Sequence, residues 1–161
     1  MTIDKRRLLH AIERRLQQDL QVARAAADAS RQGATHEGSR AEDPKDMRST
    51  EVSYLARGQA ARVQELEGTL TRLKHLELRD FDDDDAIAVS ALVLAEVDGQ
   101  ERTYFIVPVG GGLEVQVDNT TVTLVSVTTP VGRALVGAEV GDELELKVGG
   151  GIREYAITGI S

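Results

Sequence analysis

Residues 49–78 read STEVSYLARGQAARVQELEGTLTRLKHLEL, and the spacing of their apolar residues decides the fold of the first half of the chain. Seven positions recur at alternating separations of four and three residues, which is the pattern of a coiled-coil seam. These positions are Val52, Ala56, Gln59, Val63, Leu66, Leu70 and Leu73. The pattern predicts a long helix from about Ser49 to Leu78, with one face buried against a partner helix.

A similar rhythm precedes this stretch, in residues 2–30, and predicts the partner helix. Its seam positions are Leu9, Ile12, Leu16, Leu20, Ala23, Ala27 and Ser30, with one extra residue before Leu20. Residues 31–43 (RQGATHEGSRAED) lose the rhythm and contain two glycines, so we expect the turn there. Two such segments predict an antiparallel hairpin in which each seam buries the other. About thirty residues at roughly 1.5 Å rise make each arm on the order of 45 Å long.

Between the two helical segments lies Glu42-Asp43-Pro44-Lys45-Asp46, which we call the acidic segment. In one interpretation Asp43 caps the second helix, Pro44 is its first residue and Asp46 is its third. In another, Asp43 to Asp46 form a type I turn with Asp first and Pro second. Both geometries bring the two aspartates to the same side of one turn. A capping role is the simpler interpretation, and it does not exclude metal binding.

Composition limits the classes of function. The chain has 161 residues, a formal net charge of −8 and only 3% aromatic residues, which disfavours direct nucleic-acid binding through phosphates or stacked bases. It has no Cys, which is compatible with a cytoplasmic location. The first twenty residues are amphipathic, so we expect neither a signal peptide nor a membrane partner.

The run RDFDDDD at residues 79–85 is a break in composition. Four consecutive aspartates repel one another, which predicts a solvated linker and two domains, residues 1–79 and 80–161. A cation site is the alternative, but the run lacks the glycine and terminal glutamate of a calcium loop.

After residue 85 the pattern becomes that of short strands separated by turns. Asp98-Gly99 and Asp118-Asn119 are hairpin signals, and Thr129 to Gly137 predicts a short helix capped by Thr129. The expected strands lie in residues 86–97, 100–109, 113–117, 122–127, 143–148 and 152–160. The fold class is therefore α+β: an α-helical hairpin followed by a small antiparallel sheet with one helix.

The sequence of residues 129–142, TPVGRALVGAEVGD, resembles the signature of the bacterial transcript-cleavage factors GreA and GreB. The following Glu143-Leu144-Glu145-Leu146 and the glycine-turned hairpin are similar in character, and residues 58–67 (GQAARVQELE) resemble the family's second coiled-coil arm. Counting back from Gly58 places Asp43 and Asp46 on the family's two acidic positions.

The resemblance implies an FKBP-like C-terminal domain that docks on RNA polymerase, and a hairpin that enters the secondary channel of the polymerase. Asp43 and Asp46, helped by Glu42, would hold Mg²⁺ shared with the polymerase, which hydrolyses the backtracked RNA and frees a new 3′ end. The chain would need no cofactor of its own, would take no small-molecule substrate and would not itself be an enzyme. Arg48 and Arg57 would meet RNA or channel phosphates. The implied docking residues are Thr129, Pro130, Arg133, Gly137, Gly141 and Asp142.

The acidic segment departs from the family pattern, which has an aliphatic residue after the first acid and then Glu and Asn. Here Pro44 stiffens the segment, Asp46 is one methylene shorter than Glu, and Met47 follows. This departure motivates a second hypothesis, a channel-binding regulator that does not promote cleavage. A free-standing enzyme or prolyl isomerase is a third, but the sequence offers it no nucleophile–base pair.

Overall fold

The computed structural model describes residues 3–40 and 47–161, with side chains described for residues 3–32 and 54–161. Its contacts define two compact units, a helical unit (Glu13–Thr71) and a sheet unit (Met1–Ile12 with Arg72–Ser161). The α+β class is confirmed, whereas the domain limits 1–79 and 80–161 stay a prediction. In chain order the elements are α1 (Lys5–Arg40), α2 (Met47–Lys74), β1 (Leu92–Val97), β2 (Gln100–Val107), β3 (Glu114–Val117), β4 (Thr120–Ser126), α3 (Pro130–Leu135), β5 (Glu143–Val148) and β6 (Gly151–Ile160).

In the helical unit, α1 and α2 bury the predicted seams. Leu16, Leu20, Ala23 and Ala27 of α1 are buried, as are Leu66 and Leu70 of α2. Arg24 of α1 and Glu67 of α2 form an ion pair at 2.9 Å beside these residues. The seam prediction is confirmed for these positions, while Val52 lies outside the residues whose side chains are described.

The ends of both helices differ from the predicted ones. Helix α1 begins where Asp4 Oδ1 accepts a hydrogen bond from Arg6 N at 2.9 Å, but it ends at Arg40, ten residues beyond the predicted end. Each glycine in this stretch costs a helix only about 1 kcal/mol, which is too little to stop a long helix. Helix α2 ends at Lys74 rather than Leu78, and Arg79 N donates instead to Ser90 Oγ at 3.0 Å.

The sheet has the strand order β3-β4-β2-β1-β6-β5 and is mixed, so the prediction of an antiparallel sheet was wrong in one pairing. Strands β2 and β4 are parallel, with Thr103 opposite Val122 and Val107 opposite Ser126. The reason lies in β3, which follows β2 in the chain and runs in the opposite direction. It does not pair with β2, and its one neighbour in the sheet is β4. The returning strand β4 therefore runs in the direction of β2 and takes the place beside it.

One face of the sheet packs under α3 and forms the core that fixes the position of this helix. The last four residues of β2, 104–107, are all buried, and because successive side chains point to opposite faces, the sheet is covered on both faces at this strand. Leu135 of α3 is fully buried against this face. The predicted hairpin turn at Asp98-Gly99 is confirmed, since both residues have positive φ (50° and 81°). The sheet side of this core consists mainly of Val93, Ala95, Val97, Tyr104, Ile106, Tyr155 and Ile157.

Residues 79–85 are not simply a solvated linker. Phe81 is buried in the core of the sheet unit, and Asp83 Oδ1 accepts a hydrogen bond from Ile160 N at 3.3 Å. Asp82 and Asp84 are exposed, as the composition predicted. The single aromatic residue in an acidic run therefore anchors the run to the sheet.

We predict that Leu66→Ala will destabilise the hairpin by about 2–5 kcal/mol, because Leu66 is only 5% exposed and its loss leaves a cavity in the seam. The matched control is Leu55→Ala on the same helix, where the side chain is 56% exposed and the expected change is about 0.5 kcal/mol or less. Thermal unfolding followed by circular dichroism at the helix band measures both. Equal effects of the two substitutions would contradict the assignment of the seam.

Candidate functional site

The acidic segment lies outside the described residues, together with the capping and turn interpretations placed on it. Glu42, Asp43 and Asp46 belong to residues 41–46, between the end of α1 and the start of α2. Their roles stay predictions. The side chain of Arg48 is also outside the described set, whereas Arg57 is exposed on α2 with its guanidinium carbon 5.7 Å from the centroid of the Tyr54 ring.

The second candidate site is the segment Thr129–Asp142, which we call the signature segment. It begins with the predicted cap: Thr129 Oγ1 accepts a hydrogen bond from Gly132 N at 3.1 Å and donates one to Ser126 O at 2.7 Å. Pro130 follows as the first helical residue, where its missing N–H is not needed. The Thr129 side chain thus ties the start of α3 to the end of β4.

Gly132 allows α3 to approach β4 more closely than any other residue would. A Cβ at this position would lie 1.9 Å from Ser126 O, far inside van der Waals contact. Gly132 is not one of the six docking residues predicted from the sequence. The available signal was a glycine in the middle of a six-residue helix, where its cost of about 1 kcal/mol indicates a packing reason.

The far end of the signature segment is held by two hydrogen bonds to the rest of the sheet unit and by one within the segment. Gly137, with φ of 88°, donates its N–H to Ile87 O at 2.8 Å. Gly141 has φ of 97°, and its N–H donates to Ile157 O at 2.9 Å. Asp142 Oδ2 accepts a hydrogen bond from Glu139 N at 2.8 Å. The two glycines and the aspartate therefore shape the loop after α3.

The six predicted docking residues all lie in the signature segment. Some of them stabilise the fold, and others are exposed. The side chains of Thr129 and Asp142 form hydrogen bonds within the fold, and Gly141 adopts a backbone conformation that the loop requires. Pro130 and Arg133 are exposed on α3, followed by Val136, which is 40% exposed. We call Pro130, Arg133 and Val136 the α3 surface. Arg133 makes no ion pair with the described residues, so this surface offers apolar area and one unpaired cation.

The sheet unit also has an acidic groove of about 520 Å³, on the half of the sheet made by β1, β6 and β5. Glu145 lies directly opposite Glu154 on the neighbouring strand, and Glu96 and Glu143 flank the small Ala156. Like charges in facing positions are unfavourable for the sheet. This groove gives the sheet unit a negative face, consistent with the net charge of the chain.

Among residues 3–32 and 54–161, whose side chains the structure describes, no group of three His, Cys, Asp or Glu residues is arranged to hold a metal ion. Nor does any helix in the same part of the chain combine the length and apolarity needed to cross a bilayer.

A helical hairpin joined to a mixed sheet, with a short capped helix packed on the sheet, defines the architectural class of this protein. The family description "Transcription elongation factor, GreA/GreB, C-term" matches residues 82–161, which include the signature segment. The transcription elongation factor GreA of Methylobacterium nodulans is 31% identical over 148 residues, covering 91% of this chain and 81% of that protein. The chain belongs to the GreA/GreB family of transcription elongation factors.

The chain is also similar to a second curated relative and to one solved structure. GreA of Syntrophus aciditrophicus is 28% identical over 143 residues, covering 88% of this chain and 76% of that protein. The crystal structure of GreA factor homolog 1 (Gfh1) of Thermus thermophilus aligns with a TM-score of 0.38 at 22% identity, over 92% of this chain and 94% of that one.

We predict that Gly132→Ala will destabilise the sheet unit by about 3 kcal/mol, because the new methyl group collides with a backbone oxygen that cannot move freely. The same substitution at Gly68 of α2, where nothing lies within 4 Å, is the control and should stabilise its helix by about 1 kcal/mol. Urea unfolding followed by tyrosine fluorescence reports mainly on the sheet unit, because Tyr104 and Tyr155 are buried there while the third tyrosine, Tyr54 of α2, is exposed. An unchanged midpoint for Gly132→Ala would refute the close approach.

Proposed function

We propose that this chain binds RNA polymerase, inserts its helical hairpin into the secondary channel and stimulates hydrolysis of backtracked RNA at the polymerase active centre. The proposal is carried by one observation: in a member of the GreA/GreB family, two seam-packed helices are joined by a segment that contains Glu42, Asp43 and Asp46. The hydrolysis belongs to the polymerase, and the chain contributes carboxylates.

The length of the hairpin and the close packing of its two helices suit it for insertion into a channel. Residues 13–40 of α1 extend about 42 Å at 1.5 Å per residue. Leucines and alanines of the seam keep the two helices close together, and the Arg24–Glu67 ion pair joins them along the side. A two-helix rod is narrow enough to enter a channel that excludes a globular domain.

The chemistry of the donors fits Mg²⁺. Asp43 and Asp46 would hold the ion, since Mg²⁺ takes few carboxylates and fills its other positions with water or phosphate. When bound, the ion stabilises the attacking and leaving oxygens of an in-line displacement. Glu42 adds negative charge beside the two aspartates. The protein's own task is to bring these carboxylates to the reaction centre and hold them there.

Docking would use the α3 surface. Pro130, Arg133 and Val136 are exposed together, while the Thr129 cap, the Gly132 contact and the loop ending at Asp142 hold them in place. Arginine is one of the residue types enriched at binding hot spots, which makes Arg133 the main candidate contact of this surface. The matching surface of the polymerase would carry an acidic side chain near apolar residues.

A non-cleaving channel regulator is the second candidate function, and the acidic segment itself favours it. Pro44 restricts the backbone beside Asp43, and Asp46 reaches less far than the glutamate of the family pattern. Such a factor would enter the channel and slow the polymerase without releasing short RNA.

The double substitution Asp43→Asn and Asp46→Asn should lower the rate of transcript shortening in stalled elongation complexes by at least about tenfold, because two ligands for Mg²⁺ lose their charge. Asp28→Asn, which removes an exposed carboxylate from α1, is the control and should leave the rate unchanged. Binding to the polymerase is measured separately for each variant. If the natural chain binds and slows transcription but releases no short RNA, the second candidate function is correct and the first is wrong.

Arg133→Ala should weaken binding to core RNA polymerase by about tenfold or more, equivalent to at least about 1.4 kcal/mol. The side chain is exposed and unpaired, so we expect the melting temperature to stay the same. Arg102→Ala, an exposed arginine on β2, is the matched control. Equal dissociation constants for Arg133→Ala and the natural chain would remove the α3 surface from the docking site.

A further inference from the structure

Lys5 stands apart from the other described lysines in its surroundings within the sheet unit. It is the first residue of α1, and its Nζ lies 4.7 Å from the centroid of the Phe81 ring. The same Nζ donates a hydrogen bond to the main-chain oxygen of Arg79. Lys74 and Lys147, in contrast, are exposed on α2 and β5.

The charge of the Lys5 ammonium is poorly compensated. No ion pair of the described residues involves Lys5. A second cation competes for the same aromatic ring, because the guanidinium carbon of Arg79 is also 4.7 Å from the Phe81 centroid. Lys5 also lies in the first turn of a helix, where the helix dipole disfavours positive charge.

Three effects shift the pKa of the Lys5 amine, and they do not all act in the same direction. Burial has the largest effect and, with a smaller contribution from the nearby Arg79 charge, lowers the pKa of Lys5 to about 8, although Asp80 acts to raise it. At pH 7 about a tenth of the side chain is then the neutral, nucleophilic amine, whereas an ordinary lysine is almost wholly protonated.

A cavity of about 560 Å³ gives small molecules access to this position. Lys5, Arg6, Leu78, Asp80 and Phe81 line it, together with Ile3, Asp4 and Ser161. Asp4 is already engaged in capping α1, since its Oδ1 accepts a hydrogen bond from Arg6 N. Arg6 supplies a positive charge for an anionic group beside the amine, and Asp80 supplies a proton acceptor.

We propose that Lys5 is a modification site, a reactive amine that accepts the acyl group of a small acyl phosphate. The neutral Nζ attacks the carbonyl carbon, a C–N bond forms, and the bond between that carbon and the phosphate oxygen breaks. The phosphate leaves with the electron pair, and the surplus proton of the amine passes to Asp80 or water. No oxidant or reductant takes part.

Acylation would change the environment that makes Lys5 reactive. The product is a neutral amide, which loses the attraction of the ammonium for the Phe81 ring and keeps one N–H for the Arg79 carbonyl oxygen. It also removes one of the three positive charges, those of Lys5, Arg6 and Arg7, from the start of α1. This inference does not depend on polymerase binding or on the acidic segment.

The test is acylation of the full-length chain with acetyl phosphate at pH 7.5, with the extent at each lysine measured by mass spectrometry of peptides. We expect Lys5 to react roughly tenfold faster than Lys74 and Lys147. The rate at Lys5 should level off above about pH 8, while the rates at the two exposed lysines continue to rise. Equal rates at the three lysines, or a Lys5 rate still rising above pH 10, would overturn the proposal.

Two variants with opposite expected effects separate the electrostatic cause from simple exposure. Asp80→Asn removes the charge that raises the pKa of Lys5 and should accelerate acylation below pH 8, even though a proton acceptor is lost. Arg79→Gln keeps the carbonyl oxygen that binds Nζ but removes the neighbouring cation, so acylation should slow. Circular dichroism establishes that both variants fold. Changes in the same direction would contradict the proposal.

The nature of the donor is tested with acetyl-coenzyme A at the same concentration and pH. A small acyl phosphate fits a cavity of this size, so acetyl phosphate should give the faster modification of Lys5. Preferential reaction with the thioester would overturn the assignment of the donor class.

Discussion

The structure depends on the mutual burial of two apolar seams, because a long helix has little stability in water without a partner. Leu16 and Leu20 of α1 and Leu66 and Leu70 of α2 remove this surface from water, and polar residues cover the outside. None of the predicted seam positions falls in residues 41–46. This segment contains three acids and a proline, and the proposed function rests on those acids.

The sheet unit holds the α3 surface in a fixed position. Most of the signature segment acts on its own fold: Thr129 caps α3, Gly132 lets it approach β4, and Asp142 closes the following loop. Only a few exposed residues, Arg133 among them, remain for a partner. Family signatures of this kind therefore mix residues that hold the fold with residues that stay exposed, and only the structure separates the two.

The same unit shows how an isolated aromatic residue organises charged neighbours. Phe81 occurs in a run of aspartates and is buried, while Lys5 and Arg79 both place their cations near its ring. Cations over an aromatic face are attracted by the ring quadrupole, but two cations on one ring also repel each other. This competition and the burial of the amine make Lys5 chemically different from a surface lysine.

The sequence by itself determined the features that depend on neighbours along the chain. The seams of α1 and α2, the Asp98-Gly99 turn and the Thr129 cap were all predictable, because helix periodicity, turn conformation and capping are local. Tertiary structure alone decided the parallel pairing of β2 with β4, the close approach of Gly132 to Ser126, and the place of Phe81 beside Lys5. These features join residues far apart in the chain or depend on the space left by packing, and no local pattern carries that information.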